Sequence, residues 1–356
     1  MIRGWLRRGP SPEKLRGDPA SLSEGRCVVA VQPIRLATWP TPLEAGPQLA
    51  RALGLDPGDL WLKRDDLSGL GGGGNKVRKL EWTCAAALAE GARTLVTSGA
   101  AQSNHARLTA AAGARLGLDV VLVLSGTPDR AGAGNLVLDG LFGARTVWAG
   151  DGDEAHLAEH TAAIAEDLRR GGAAPFLVPF GGSTPLSAEG YAEGGRELLR
   201  QLPDISTVVV AVGSGATMAG LVSVLGPERV LGVHCGAVTD PRATVARLVP
   251  ATDVPIDPGV LRLDERQVGG GYGQLTDAVM DAMLTAARTE GIVLDPIYTG
   301  RAMAGLIAAV AAGEIRRRER TVFLHTGGLP GLFGHTAGVR RALDELSERS
   351  SGALAP

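Results

Sequence analysis

The sequence predicts an α/β fold of two domains, each built in three layers around a mainly parallel, twisted sheet, and three observations carry that expectation. Short apolar, β-branched runs end in Gly or Ser. Alanine-rich stretches of helical length separate them, and the alternation begun at Thr94 continues to Gly328 in a chain of 356 residues. Strands alternating with helices of this length form βαβ units on a parallel sheet. Such sheets gather ligands at the carboxyl ends of their strands.

Taken in order, residues before about Leu36 carry scattered Pro and Arg with little periodicity and are expected to be irregular. LEWTCAAALAE (Leu80–Glu90) is helical in composition. TLVTSG (Thr94–Gly99), DVVLVLSG (Asp119–Gly126), ARTVWAG (Ala144–Gly150) and PFLVPFGG (Pro175–Gly182) read as strands, with helices at Ala106–Leu116, Asn135–Leu141 and Ala155–Leu168 between them. After Tyr191 come helix Gly194–Leu202, strand Thr207–Gly213, helix Ala216–Gly226 and strand Arg229–Gly236. Helix Leu275–Gly291, strand Ile292–Pro296, helix Gly300–Gly313 and strand Thr321–Gly328 complete the series. Thr239–Gly271 is punctuated by Pro and Asp and reads as a long irregular connection.

Composition removes several function classes. A formal net charge of −2 leaves no basic stripe for phosphate backbones, so nucleic acid is not an expected partner. The run RRRER (Arg316–Arg320) fits a solvated helix–strand connection. No apolar run reaches the roughly 18 residues of a membrane span. The opening MIRGWLRRGPSPEKLRG has basic residues with no apolar stretch behind them, unlike a signal peptide. Cys27, Cys84 and Cys235 are odd in number and widely spaced, which supports neither a disulfide framework nor a zinc site. They fit a reducing cytosol. A cytoplasmic protein without a metal centre is expected.

Lysine usage points to the chemistry. The 36 basic residues are 4 Lys and 32 Arg, yet Lys63, Lys76 and Lys79 fall within 17 positions of one another. A guanidinium essentially never deprotonates and cannot act as an amine nucleophile, so these lysines are not interchangeable with arginine. In GLGGGGNKVRKLE (Gly69–Glu81), Asn75 reads as a helix N-cap, placing Lys76 in the first turn. The helix dipole and desolvation in a cleft both disfavour its protonated form. The stretch is not a P-loop: Lys76 follows Asn rather than Gly, and Val77 stands where Ser or Thr is required.

VVVAVGSGATMAG (Val208–Gly220) is a strand, glycine turn and helix start, whose amides and Ser214 and Thr217 hydroxyls suit a phosphate. Met218 at the third glycine position of GxGxxG argues against a dinucleotide. TSGAAQSNHARLTAAAGARLG (Thr97–Gly117) is a second such junction, where Ser103, Asn104 and His105 could hold a carboxylate or an oxyanion. Tyr272 in VGGGYGQ and Tyr298 in LDPIYTGRAMAG sit among turn residues, and FLHTGGLPG ends the last strand with Thr326.

A lysine of lowered pKa, a phosphate cup, a carboxylate-binding turn and polar residues at strand ends together describe a pyridoxal 5′-phosphate enzyme. From about Pro40 to Ala342 the chain resembles the tryptophan synthase β-like group (fold type II). Within it, the resemblance is to the branch of D-cysteine desulfhydrase and 1-aminocyclopropane-1-carboxylate (ACC) deaminase. The motifs that carry it are KRDDLSGLGGGGNKVRKLE, QSNHAR, VGSGATMAGL, GYG, DPIYTGRAMAGL and HTGG.

The resemblance implies a large cofactor-binding domain, residues 1–80 and 184–356, a small α/β domain, residues 81–183, and a homodimer. It implies that Lys76 forms the Schiff base and moves the substrate's α-proton. Lys79 would bind the phosphate from the same helix face, and Gly213, Ser214, Gly215, Ala216 and Thr217 would form the cup. Asn104 would bond the cofactor's 3′-oxygen. Ser103 would meet the substrate carboxylate or act in proton transfer, and His105, Tyr272 and Tyr298 would line the substrate side. Deaminases of this branch have Glu after the second tyrosine and Leu between the His and the Gly pair; here stand Thr299 and Thr326. A carboxylate would keep the pyridine nitrogen protonated, as opening a cyclopropane demands, whereas a hydroxyl suffices to expel thiolate. The expected reaction is therefore α,β-elimination on a small amino acid, D-cysteine foremost. ACC deamination or β-replacement are the alternatives within the same chemistry. A nicotinamide-dependent oxidoreductase and a non-catalytic binding protein are the alternatives outside it.

Overall fold

The computed structural model describes residues 31–128, 132–250 and 255–351. The N-terminal stretch and Cys27 lie outside the described residues. The chain runs β1 (Leu43–Ala45), α1 (Pro47–Ala52), β2 (Leu60–Arg64) and α2 (Lys76–Ala89). There follow β3 (Thr94–Gly99), α3 (Asn104–Leu116), β4 (Asp119–Leu124), α4 (Asn135–Leu141), β5 (Arg145–Trp148), α5 (Glu154–Arg170) and β6 (Pro175–Val178). Next come α6 (Pro185–Gln201), β7 (Ile205–Val212), α7 (Ala216–Leu225), β8 (Val230–His234), α8 (Pro241–Leu248) and β9 (Arg262–Asp264). The last elements are α9 (Asp277–Glu290), α10 (Thr299–Ala311), β10 (Arg320–His325), α11 (Leu329–Phe333) and α12 (Thr336–Ser351).

The strands form two sheets, ordered β1-β2-β10-β7-β8-β9 and β5-β4-β3-β6. Every pairing is parallel except that of β1 with β2. Side chains alternate across a strand, and β7 shows what that does for a sheet covered on both faces. Val208, Val210 and Val212 enter the core under α6 and α7, while Val209 and Ala211 enter the core under α9 and α10. In the smaller sheet, Leu95, Leu122 and Leu124 pack toward α2 and α3, and Val96, Val121 and Val123 pack toward α5. Both sheets thus carry helices on both faces.

Four segments depart from the sequence expectation. Thr239–Gly271 is not wholly irregular: Asp240 caps α8 by accepting from the Ala243 amide at 2.9 Å, Pro241 occupies the first turn, and β9 adds an edge strand. Ile292–Pro296 is not a strand, although Ile292 and Leu294 are buried in the core. Its Asp295 carboxylate is bonded to the amides of Ile297, Tyr298 and Thr299, which turns the chain into α10. α6 begins at Pro185 rather than Gly194, because Thr184 and Ser187 form a reciprocal capping box that outweighs the glycines behind it. β1, α1 and β2 were not anticipated.

A buried ionic cluster fixes the root of α2. Arg78, 4% exposed, meets Asp65 through Nε at 2.8 Å and Glu197 through Nη2 at 3.0 Å. Lys63 also pairs with Glu197 and donates to the Thr41 carbonyl at 2.8 Å. Tyr191 and Thr41 hydroxyls donate to Asp65 at 2.6 and 2.7 Å. Two cations face two anions, so the cluster is neutral and joins β2, α2 and α6.

Burial by itself would raise the Asp65 carboxyl, but the Arg78 charge and these hydrogen bonds outweigh it and hold the group at about 2. A carboxyl depressed in the native state contributes stability above its unfolded pKa and loses it as pH falls from about 4 toward 2. Asp65→Asn leaves Arg78 half-paired in the interior and is expected to lower unfolding free energy by about 3–5 kcal/mol, with the acid-sensitive part of that window removed. Urea titrations of both proteins at neutral pH and along a pH series check it.

Candidate active site

Lys76 is the first residue of α2, and the glycines before it are there for shape. Gly71 to Gly74 all have positive φ, and a Cβ on Gly73 would lie 1.8 Å from the Asp66 carbonyl oxygen. Arg107, fully buried, clamps this loop by donating to the Gly71 and Gly73 carbonyls at 2.8 and 3.0 Å. The Asn75 amide donates to the Thr326 carbonyl at 3.1 Å and so brings the end of β10 to the start of α2. Lys76 faces a cavity of about 270 Å3. Burial pulls its amine down to about 8, the direction expected from the sequence.

Ser103, Asn104, His105, Gly213, Ser214, Gly215, Thr217, Tyr272, Tyr298 and Thr326 line the same cavity. The turn after β7 runs into α7 through Gly215 (φ 93°), and the first amides of a helix have no intrahelical acceptor. With the Ser214 and Thr217 hydroxyls they make an anion-receiving cup. Ser103 caps α3, accepting from the Ala106 amide at 3.1 Å. His105 Nε2 lies 2.9 Å from Thr97 Oγ1, whose single proton goes to the Val178 carbonyl at 2.8 Å. Nε2 is therefore the protonated nitrogen, and burial holds the ring neutral. The Tyr272 and Tyr298 hydroxyls are bonded to each other at 2.5 Å. Burial pushes the Tyr272 phenol up to about 12 and Tyr298 well above its ordinary value. Buried Arg301 holds the loop of Tyr272 through the Gly271 and Gln274 carbonyls, both at 2.8 Å.

Three predicted residues are not in the cavity wall. Lys79 is buried beneath the cup, donating to the Gly181 carbonyl at 2.5 Å and to Ser183 Oγ at 2.8 Å. Ser183 in turn donates to Ser214 at 2.7 Å, so Lys79 reaches the cup through two hydroxyls rather than directly. Ala216 is buried within the first turn of α7. Thr299 is committed elsewhere: its hydroxyl donates to Asp295 Oδ1 at 2.7 Å and accepts from the Asp295 amide at 2.8 Å, bracing the start of α10. Of Thr299 and Thr326, Thr326 alone faces the cavity. Asn75, expected to cap α2, instead donates its side-chain amide to Thr217 Oγ1 at 3.0 Å.

Phe180, Gly181 and Ser125 also line the site and were not anticipated. The Gly pair of PFGGST was a signal, hidden by reading Pro175–Gly182 as strand throughout. His156 and His160 stand four apart on α5 with ring centroids 4.4 Å apart. Among the described residues no group of three or more His, Cys, Asp and Glu is placed to hold a metal. No helix among them is long and apolar enough to cross a membrane.

A depressed amine beside a helix-start cup and neutral donors is the donor set that an aldehyde bearing a phosphate requires, so the residues fit pyridoxal phosphate. The family model described as pyridoxal-phosphate dependent enzyme matches residues 34–327. A putative ACC deaminase of Pyrococcus abyssi is 38% identical over 313 residues, 84% of this chain and 92% of that protein. A D-cysteine desulfhydrase of Klebsiella pneumoniae is 38% identical over 318 residues, 85% of this chain and 95% of that protein. The crystal structure of an ACC deaminase homologue superposes with a TM-score of 0.79 at 34% identity, covering 88% of this chain and 96% of that one.

Reductive methylation with formaldehyde and borohydride, followed at the Lys76 peptide in cofactor-free protein, is expected to be half-maximal near pH 8. A midpoint above about 10, that of a lysine in water, contradicts the burial argument.

Proposed function

The chain belongs to the pyridoxal-phosphate dependent enzyme family, and on that premise we propose that it eliminates a β-substituent from a small amino acid. D-cysteine is the substrate of this reading: one water enters, and pyruvate, hydrogen sulfide and ammonia leave. Bound pyridoxal phosphate supplies an electron sink that makes the α-proton of an amino acid acidic. The rest falls to side chains. Lys76 holds the cofactor and, with an amine of pKa near 8, takes the α-proton at Nζ. The cup at the start of α7 receives the phosphate, with Lys79 bracing it from below through Ser183 and Ser214. Asn104 donates to the cofactor's ring oxygen, and the start of α3 at Ser103 receives the substrate carboxylate. Tyr272 and Tyr298 are protonated at neutral pH; one hydroxyl spends its proton on the other, and the second donates to the departing sulfur. The two sheets belong in this reading to two domains, 1–80 with 184–356 and 81–183, of a homodimer.

One observation carries elimination over deamination. The cavity wall at the end of β10 offers the neutral hydroxyl of Thr326, and the carboxylates of the lining, Asp153 and Glu154, are exposed at the start of α5. A hydroxyl holds a ring nitrogen only weakly, giving a sink sufficient for a good leaving group such as thiolate. Identity does not choose between the two, since the putative ACC deaminase and the D-cysteine desulfhydrase are equally similar to this chain.

Purified enzyme given D-cysteine, L-cysteine, β-chloro-D-alanine and ACC is expected to release sulfide and pyruvate in equal amounts from D-cysteine, and no 2-oxobutyrate from ACC. 2-Oxobutyrate from ACC without sulfide from either cysteine makes it a deaminase instead. Thr326→Val, alike in shape but without the hydroxyl, is expected to lower kcat/KM for D-cysteine roughly tenfold.

A further inference from the structure

Asn135 opens α4 fully buried, neither lining the cavity nor capping its helix. Its Nδ2 lies 2.9 Å from the Gln102 carbonyl oxygen and 3.1 Å from Asn104 Oδ1. A backbone carbonyl can only accept, so the group facing Gln102 must be the NH2 of Asn135. The second hydrogen of that same nitrogen then needs an acceptor at residue 104. Asn104 is obliged to turn its oxygen toward Asn135 and its own NH2 the other way, and Asn104 lines the cavity.

Gln102 keeps this arrangement from shifting. Its Oε1 accepts from the Asn135 amide at 2.9 Å and its Nε2 donates to the Ala133 carbonyl at 2.9 Å, so its orientation too is set by backbone groups. Two glycines close around it: a Cβ on Gly134 or Gly334 would lie 2.5 or 2.1 Å from Gln102 Oε1. Asn135 Oδ1, meanwhile, is buried without a partner. An unsatisfied buried acceptor is destabilising, so this asparagine is held by its donor end alone.

We propose that Asn135, seated by Gln102, is a positioning residue that locks the Asn104 amide with its NH2 toward the cavity, making that wall a donor to an anionic oxygen of the cofactor ring. The inference rests on the reading of Asn104 given under Proposed function. Without Asn135 the Asn104 amide is free to turn over, and in half of its orientations it presents oxygen to oxygen.

The test is the pH midpoint of the visible absorbance band of the cofactor-loaded protein, in wild type, Asn104→Ala, Asn135→Ala and the double variant. A donor to the ring oxygen favours the form with negative charge there, so Asn104→Ala is expected to raise the midpoint by roughly 0.4 to 1 unit. Asn135→Ala is expected to raise it in the same direction, and the double variant no further than Asn104→Ala alone. Asn135→Ser, whose hydroxyl is too short to reach Asn104, carries the same expectation should the alanine variant not fold. An unmoved midpoint in the Asn135 variants beside a moved one in Asn104→Ala overturns the positioning role. So does additivity of the two shifts, which would mean a packing effect. An unmoved midpoint in Asn104→Ala overturns the Asn104 reading itself and the inference with it.

Discussion

A primary amine held in a desolvated cavity at the first turn of a helix is the constraint around which this protein is arranged. Burial disfavours the charged form of Lys76 and pulls its pKa to about 8. That cost is absent above the ordinary lysine pKa of about 10.5 and complete below about 8, so at neutral pH the fold carries a destabilised side chain. What holds it there is backbone. The glycine loop before Lys76 adopts positive φ throughout, is clamped by Arg107, and is tied to the end of β10 through the Asn75 amide.

Fully buried arginines serve the site twice, and in the same manner. Arg107 stands in the first turn of α3, behind Asn104, and holds the loop of Lys76. Arg301 stands in the first turn of α10, behind Tyr298, and holds the loop of Tyr272. Each guanidinium gives both of its Nη groups to carbonyl oxygens, a spread its fork of donors suits better than an ammonium would, and leaves its Nε buried without a partner. Arg107 also adds positive charge behind the start of α3, which favours an anionic ligand there, whereas the start of α10 already carries the buried Asp295 carboxylate. The composition is consistent with this division of labour. Arginine took the structural cation positions, and lysine survived at Lys76, Lys79 and Lys63, where a compact or deprotonable amine is needed.

Most strands and helices after Thr94 were legible because their apolar runs are local and their breaks are glycines, while α8, β9, the start of α6 and the strandless Ile292–Pro296 were not. Lys76, the cup before α7 and the paired tyrosines were legible for the same reason: each lies in a short motif whose chemistry is written in consecutive residues. What escaped depends on partners far along the chain. β2 reads as LWLKR, and nothing local tells what its lysine pairs with until Glu197, 134 positions away, is seen beside it. Thr299 looked like a cofactor contact because it follows Tyr298, yet its hydroxyl answers to Asp295. Asn135 sits in an ordinary amphipathic stretch, and only the fold brings its amide to Asn104.

The bond between Lys76 and the cofactor would be covalent, and so it can be trapped. Borohydride reduction of the cofactor-loaded, active enzyme followed by peptide mass mapping is predicted to place the pyridoxyl group on the Lys76 peptide. An unmodified Lys76 peptide in such a preparation, with the mass on Lys79 or on no lysine, would contradict the account at its root.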